Sequence, residues 1–123
     1  MHKIEQTNPG RLDVEFGGEI NADEMKSFLD ELVQKSAGFK NGVMLYRIND
    51  DFELPTFGAL MVELSRLPEM FRLLAKFHRT AVLCNTAWVR RIGEIEGYLF
   101  PGLEVKAYPT AQKDEAEKWL TGG

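Results

Sequence analysis

Residues 43–60 read VMLYRINDDFELPTFGAL, and this stretch decides the fold. It opens with the apolar run 43–46, which is typical of a buried central strand. The polar residues 49–51 follow, and after Pro55 the apolar sequence resumes with helical spacing. A buried strand that leads through a loop into a helix N-terminus is where open α/β sheets build their sites. The stretch therefore predicts where a functional site lies, but it contains no motif for a particular reaction.

The composition is that of a soluble globular protein, with 123 residues of which 44% are hydrophobic and 28% are charged. The net charge of −4 argues against a nucleic-acid-binding protein, which needs a surplus of cations to displace counterions. The single cysteine, Cys84, permits no internal disulfide and fits a reducing cytosol. The sequence has neither a signal-peptide pattern nor an apolar run long enough to cross a bilayer. We therefore expect one cytoplasmic domain over residues 1–123 that does not span a membrane.

The N-terminal part predicts a hairpin followed by a helix. Segments 3–7 and 11–16 flank the turn sequence at 8–10, and the second segment alternates strictly between apolar and charged side chains. Asn21 suits the N-cap of a helix, and apolar positions recur at helical spacing over 22–36.

The remainder alternates strands with helices. Thr56 is the predicted N-cap of a helix whose apolar pattern breaks at Pro68, where a second helical segment begins. A strand at 79–84, a helix after residue 86, a strand at 103–108 and a helix at 111–120 follow. Strands that alternate with crossover helices require a largely parallel sheet. The fold class is therefore α/β, with a mixed, mostly parallel five-stranded sheet and four to five helices.

Two of these helices carry long apolar stripes, most of which we interpret as core. The first stripe consists of Phe57, Leu60, Met61, Leu64 and Leu67, and the second of Trp88, Val89, Ile92, Ile95 and Leu99. A set of large apolar side chains in the loops and helices exceeds what a core of this size needs: Phe52, Leu54, Phe57, Met61, Met70, Phe71, Tyr98, Leu99 and Phe100. A pocket for an apolar ligand and a homodimer face therefore stay open as alternatives.

No catalytic set is apparent, so we expect a protein that is not an enzyme. The sequence has no phosphate-binding glycine loop and no nucleophile elbow. Neither His2 nor His78 has a partner at metal-ligand spacing, and we expect no metal and no cofactor. Cys84 ends a strand before a helix; we interpret it as a small buried hydrophobe in preference to a reactive thiol.

Residues 66–91 form a basic segment, with six basic side chains against one acidic side chain. We interpret it as solvated helix faces. The alternative is a patch for an acidic partner or an anionic lipid surface.

Polar residues mark the predicted site at the end of the central strand. Asp50 and Asp51 occupy a place where catalytic carboxylates are found, although turn formation accounts for both. A hydroxyl at the helix start, as on Thr56, can accept a phosphate whose charge the helix N-terminus stabilises. Plain N-capping by Thr56 is the simpler interpretation.

Three segments resemble the SpoIIAA-like family of bacterial proteins: RTAVLCNTAWVR at 79–90, FPGLEVKAYP at 100–109 and EAEKWL at 115–120. The resemblance extends over the whole chain, including ADE at 22–24 and FGAL at 57–60. The family belongs with the STAS domains and has been grouped with the Sec14/CRAL-TRIO lipid-transfer fold. The resemblance therefore implies a mixed sheet with helices packed on it.

The resemblance also implies a regulatory position. In anti-sigma-factor antagonists, a partner kinase phosphorylates a serine at the start of the helix after the central strand. The matching residue is Thr56, and Pro55 replaces the usual aspartate before it.

We expect a non-enzymatic regulatory or interaction domain that docks a protein partner through the 49–60 loop and the following helix. Its predicted partner-binding residues are Asp50, Asp51, Phe52, Thr56 and Phe57. The alternative function is binding of a small apolar or lipid ligand between helices 56–77 and 86–99. The predicted pocket residues are Met61, Met70, Trp88 and Tyr98.

Overall fold

The computed structural model describes residues 1–98, 100 and 102–122. In chain order the elements are β1 (His2–Asn8), β2 (Arg11–Phe16), α1 (Ala22–Lys35), β3 (Gly42–Ile48), α2 (Phe57–Ser65), α3 (Leu67–Leu74), β4 (Phe77–Leu83), α4 (Ala87–Gly97), β5 (Glu104–Tyr108), a 3-10 turn (Thr110–Gln112) and α5 (Lys113–Leu120). Leu99, which the sequence assigns to the fourth helix, lies outside the described residues.

The five strands form one sheet in which spatial order equals chain order. β1 pairs antiparallel with β2, and β2, β3, β4 and β5 run parallel to one another. Each parallel pair is joined through one or two helices, as parallel strands require. The predicted mixed, mostly parallel five-stranded sheet is therefore confirmed, and the described part of the chain contains five α-helices.

Alternation along the strands divides the core between the two sheet faces. Leu12 and Val14 of β2 point toward α1, into the larger cluster. Leu45 of β3 and Leu83 of β4 point to the opposite face, where α5 covers them with Ala116 and Leu120. The helices α1 to α4 thus cover one face, and α5 covers part of the other.

The N-caps predicted at Asn21 and Thr56 are present. The Asn21 side chain accepts a hydrogen bond from the backbone N–H of Glu24 at 2.9 Å. Thr56 Oγ1 accepts one from the backbone N–H of Ala59 at 3.2 Å. Each bond satisfies a donor that the first helical turn would otherwise leave without a partner.

The prediction that α4 buries its apolar stripe is wrong. Trp88, Ile92 and Ile95 are each about half exposed. The sheet-facing side carries Gly97 instead, where an added Cβ would lie 2.6 Å from Cγ2 of Val105. Glycine lets the helix backbone approach β5 so closely that large side chains have room only on the outer side.

The stripe of α2 also faces outward for the most part. Phe57, Met61 and Leu64 are exposed, whereas Ala59 is fully buried and Val62 packs against the core. The helix lies close to α1, because a Cβ added at Gly58 would meet Ala22 Cβ at 3.3 Å. Small residues make this contact, so the large ones remain on the surface.

Candidate functional site

The loop between β3 and α2 is held against the segment that follows β2. Three backbone N–H groups of the loop donate to carbonyl oxygens there: Asn49 to Phe16 at 2.8 Å, Glu53 to Gly18 at 2.9 Å and Thr56 to Ile20 at 2.9 Å. The loop therefore delivers the start of α2 in a defined position at the carboxyl edge of the sheet.

Asp50 braces this edge. Its Oδ1 accepts a hydrogen bond from Asn85 Nδ2 at 3.1 Å, and Asn85 Oδ1 accepts one from the Thr110 backbone N–H at 3.0 Å. Asp51 is exposed, and its Oδ1 lies 3.0 Å from where a Cβ at Gly17 would stand. Both aspartates thus lie at the predicted edge, where Asn85 links the loop of Asp50 to the segment of Thr110.

The other predicted partner-binding residues differ in exposure. Phe52 is partly buried and packs against the core, with its ring 6.5 Å from that of Phe16. Thr56 is partly buried, and its hydroxyl is engaged as the N-cap. Phe57 is 78% exposed at the first position of α2. Phe52 therefore anchors the loop, and Phe57 exposes its ring to solvent.

Large apolar side chains on α2, α3, α4 and the adjoining segments are exposed in unusual number. The outer apolar surface comprises Leu54, Phe57, Leu60, Met61, Leu64, Phe71, Trp88, Ile92, Ile95 and Tyr98. Four of them, Phe57, Leu60, Met61 and Leu64, lie on α2, and a concentration of exposed large apolar side chains is typical of an interaction site.

The four predicted pocket residues do not share one environment. Met61 and Trp88 are about half exposed, and Tyr98 is 90% exposed. Met70 packs against the larger core cluster. These residues belong to the outer apolar surface, except for Met70, which supports α3 from beneath.

Two depressions occur elsewhere on the molecule. One runs along α1, and the other lies over β1, β2 and β3 beside Lys113; none of the four predicted pocket residues lines either one. Among the described residues, no group of three or more His, Cys, Asp or Glu side chains could hold a metal ion. No helix in the described ranges has the length and apolar character needed to cross a membrane.

Half of the basic segment is committed to internal contacts. Arg66 pairs with Asp30 at 2.8 Å and with Glu69. Arg90 donates to the Cys84 carbonyl at 2.7 Å, and Arg79 donates to the carbonyl of Trp119. This arrangement weakens the alternative of a free cationic patch for an acidic surface.

Glu63 is a partly buried acid of α2 that sequence reasoning did not single out. It lies one turn after both Ala59, which is fully buried, and Leu60, which is exposed. The side chain is only partly exposed, and burial raises the pKa of its carboxyl above the ordinary value of 4.5. The available signal was a single charged residue between Val62 and Leu64 in an otherwise apolar stretch.

The fold and site define a class: an α/β domain with an antiparallel first strand, a parallel sheet in chain order and an exposed strand-to-helix edge. The SpoIIAA-like family model matches residues 11–121, and the chain therefore belongs to the SpoIIAA-like family. No curated protein matches the sequence.

Two solved structures have the same fold. An uncharacterised protein with a SpoIIAA-like fold from Shewanella loihica PV-4 is 18% identical, with a TM-score of 0.71 over 98% of this chain and 92% of the other. The anti-sigma factor antagonist SpoIIAA in its unphosphorylated form is 12% identical, with a TM-score of 0.59 over 100% of both chains. At these identities the likeness establishes the fold alone.

Proposed function

We propose that this protein is a non-catalytic interaction domain that docks a protein partner through the 49–60 loop and α2. The observation that carries the proposal is the exposure of Phe57, a large aromatic ring held out by a braced loop and a capped helix start. Exposed aromatic side chains on rigid elements are the usual anchors of protein interfaces.

The size of the outer apolar surface supports this function. It comprises ten large side chains, of which Phe57, Leu60, Met61 and Leu64 share the single helix α2. The SpoIIAA-like fold supports it as well, because members of this class commonly act by binding other proteins. We place this function in the cytosol, which suits a chain whose single cysteine, Cys84, is buried and reduced.

Thr56 is the position at which we propose that phosphorylation regulates docking. A phosphate there would place about two negative charges beside Phe57, where the N-terminus of α2 stabilises them. The same charge would oppose an apolar contact with Phe57, so the modified protein would release its partner.

A pull-down with two surface variants tests the docking site. Phe57→Asp puts a charge at the proposed contact, and Gln34→Asp puts the same charge on the exposed face of α1 as a control. We expect partners to be lost with Phe57→Asp and kept with Gln34→Asp, while both variants unfold at the wild-type temperature. Recovery of the same partners with all three proteins would contradict the proposed surface.

The alternative function, binding of an apolar or lipid ligand beneath these helices, has one observation in its favour. The Thr80 hydroxyl on β4 is buried and has no hydrogen-bond partner within the described part of the chain. A ligand oxygen could satisfy it, since a buried hydroxyl without a partner is unfavourable.

Native mass spectrometry of protein purified from its own cells separates the two functions. Ligand binding predicts a retained small molecule that is lost with Thr80→Val, a replacement of the same shape. A bare polypeptide mass for wild type would remove the ligand hypothesis and leave the docking proposal in place.

A further inference from the structure

We propose that the free edge of β1 is a pairing surface for a second copy of this chain, and that Lys35 of α1 blocks the pairing in the wild-type protein. β1 is the first strand of the sheet in spatial order, so only one of its edges is paired, with β2. The inference goes beyond the proposed function, because it involves none of the residues of the outer apolar surface.

The hydrogen bonds between β1 and β2 determine which backbone groups face the free edge. The Gly17 N–H donates to the Met1 carbonyl at 2.9 Å, which makes these two residues a hydrogen-bonded pair. Hydrogen-bonded and non-hydrogen-bonded pairs alternate along antiparallel strands, so Ile4 and Val14 form a pair of the second kind. The N–H and carbonyl of Ile4 therefore point away from β2, and outward groups of this kind are a template for another strand.

The Lys35 side chain occupies the outward carbonyl of Ile4. Its Nζ donates to this carbonyl at 2.6 Å and lies 3.7 Å from Oε2 of Glu31. A hydrogen bond from an ionised donor is stronger than one between neutral groups. A second strand that pairs at Ile4 must displace or share this bond, so Lys35 opposes the addition of a strand to this edge.

The other free edge of the sheet has a contact of the same kind. The Cys84 N–H donates to the Tyr108 carbonyl at 3.0 Å, so the backbone of Tyr108 faces β4 and that of Ala107 faces outward. The Ala107 N–H donates to Oε2 of Glu94 on α4 at 3.3 Å. At each edge a charged side chain from a neighbouring helix thus satisfies an outward backbone group, and charged side chains commonly protect edge strands from pairing.

Charge complementarity favours a second copy as the occupant of the β1 edge. Antiparallel pairing centred on Ile4 obeys a two-fold axis and buries the same surface of both copies. It places Lys3 of each copy directly opposite Glu5 of the other, and opposite charges across a strand pair are favourable. Lys3 and Glu5 are exposed and pair with each other at 3.1 Å within one chain, so both are accessible to a second copy.

The same symmetry explains why Lys35 opposes the pairing. The two Ile4 residues would face each other with their Cα atoms about 5.5 Å apart. The two Lys35 ammonium groups, each bound to an Ile4 carbonyl, would then lie close together and repel each other. We therefore expect the wild-type protein to leave this edge unpaired.

Sedimentation equilibrium over a concentration series tests the inference. Lys35→Met removes the charge and the donor but keeps the length of the side chain, and Lys26→Met makes the same change at another exposed position of α1. We expect Lys35→Met to dimerise at least about tenfold more tightly than wild type, Lys26→Met or Lys35→Arg, because like charges leave the interface. Lys35→Ala, measured alongside, should behave like Lys35→Met. Equal association of all these proteins would overturn the inference.

Two further changes in the Lys35→Met background test the register. Glu5→Lys should dissociate the dimer because it places lysines directly opposite each other, and adding Lys3→Glu should restore it. Hydrogen exchange of the Ile4 N–H should slow when the dimer forms. A dimer that is insensitive to these changes, or that leaves the exchange rate unaltered, would overturn the assignment of the contact to β1.

Other occupants of the edge give distinguishable results. Assemblies larger than a dimer would overturn the closed two-fold arrangement. Capture of a different protein by Lys35→Met without self-association would overturn the choice of a second copy. The proposed docking function is tested separately by Phe57→Asp, so failure of either idea leaves the other unaffected.

Discussion

The helices α4 and α5 lie on opposite faces of the same strands, yet they orient their apolar side chains differently, α5 toward the sheet and α4 away from it. In α5, Ala116 and Leu120 are fully buried against β4, and the exposed side is charged. In α4, glycine faces the sheet, and Trp88, Ile92 and Ile95 face outward. The arrangement of α5 is accounted for by stability of the fold. The outer face of α4 contributes nothing to the core, and it is therefore the one that points to function.

The contrast between α4 and α5 would be contradicted if the apolar residues of both helices contributed equally to the free energy of unfolding. Leu120→Ala should lower the free energy of unfolding by about 3 kcal/mol, because it leaves a cavity where the side chain is 1% exposed. Ile95→Ala, at 56% exposure, should change it by less than about 0.5 kcal/mol. Urea unfolding measures both. A loss of several kcal/mol with Ile95→Ala would mean that the outer surface of α4 is part of the core.

Two glycines of α4, Gly97 and Gly93, test how closely the helix approaches the sheet. Gly97→Ala should cost about 2 kcal/mol, because the added Cβ would lie 2.6 Å and 2.8 Å from two side-chain atoms of Val105. Gly93→Ala has its nearest contact at 3.9 Å from Val82, and better helix propensity should raise stability by up to about 1 kcal/mol. Thermal unfolding distinguishes the two variants. Equal effects would contradict close packing at Gly97.

Substitution of the N-cap residue of α2 should have a smaller effect on the free energy of unfolding. It tests the cap separately from the apolar surface. Thr56→Ala removes the acceptor for the Ala59 N–H and should cost about 1 kcal/mol. Thr56→Asp supplies another good N-cap acceptor and should remain near wild type. Chemical denaturation of the two variants is the measurement. An equally unstable aspartate variant would show that the threonine methyl group, and not the cap, is what matters.

The smallest expected effect concerns the ion pair that anchors α5. Arg11 lowers the pKa of the Glu117 carboxyl through hydrogen bonds of 2.7 Å, so the native state favours the charged form. The resulting stability is present at neutral pH and is lost as pH falls from the ordinary carboxyl pKa through the lowered one.

Glu117→Gln should therefore cost about 0.5–1 kcal/mol at pH 7, allowing for the partial exposure of the pair. Its difference from wild type should shrink as the pH is lowered below about 4. Unfolding curves across this pH range check the sign. A difference that grows in acid would contradict the assignment.

The strands and caps could be predicted because local patterns determine them. Strict alternation at Leu12 and Val14 gave the strand and its buried side, and Asn21 and Thr56 gave two helix starts. The largely parallel pairing followed from the crossover helices between successive strands.

The orientation of α4 could not be predicted, because the sequence is compatible with either the glycine side or the apolar stripe facing the sheet. Periodicity identifies a helix face, but it cannot tell whether that face lies against Val105 or against a partner. For the same reason Glu63 was overlooked, since its burial depends on how α2 sits beside its neighbours. Exposure of Phe57 and support by Phe52 likewise arise from the path of the loop, which pairs with residues 16–20 far away in sequence.

The chain-order arrangement of the sheet has a consequence for synthesis. Each new strand pairs with the strand made just before it, so β1 to β5 can be added one at a time as the chain leaves the ribosome. The Arg11–Glu117 bond joins residues 106 positions apart, and α5 lies across strands that must already be present. Docking of α5 therefore requires that β3 and β4 have already paired, and until it occurs Leu45 and Leu83 on that face of the sheet remain exposed to water.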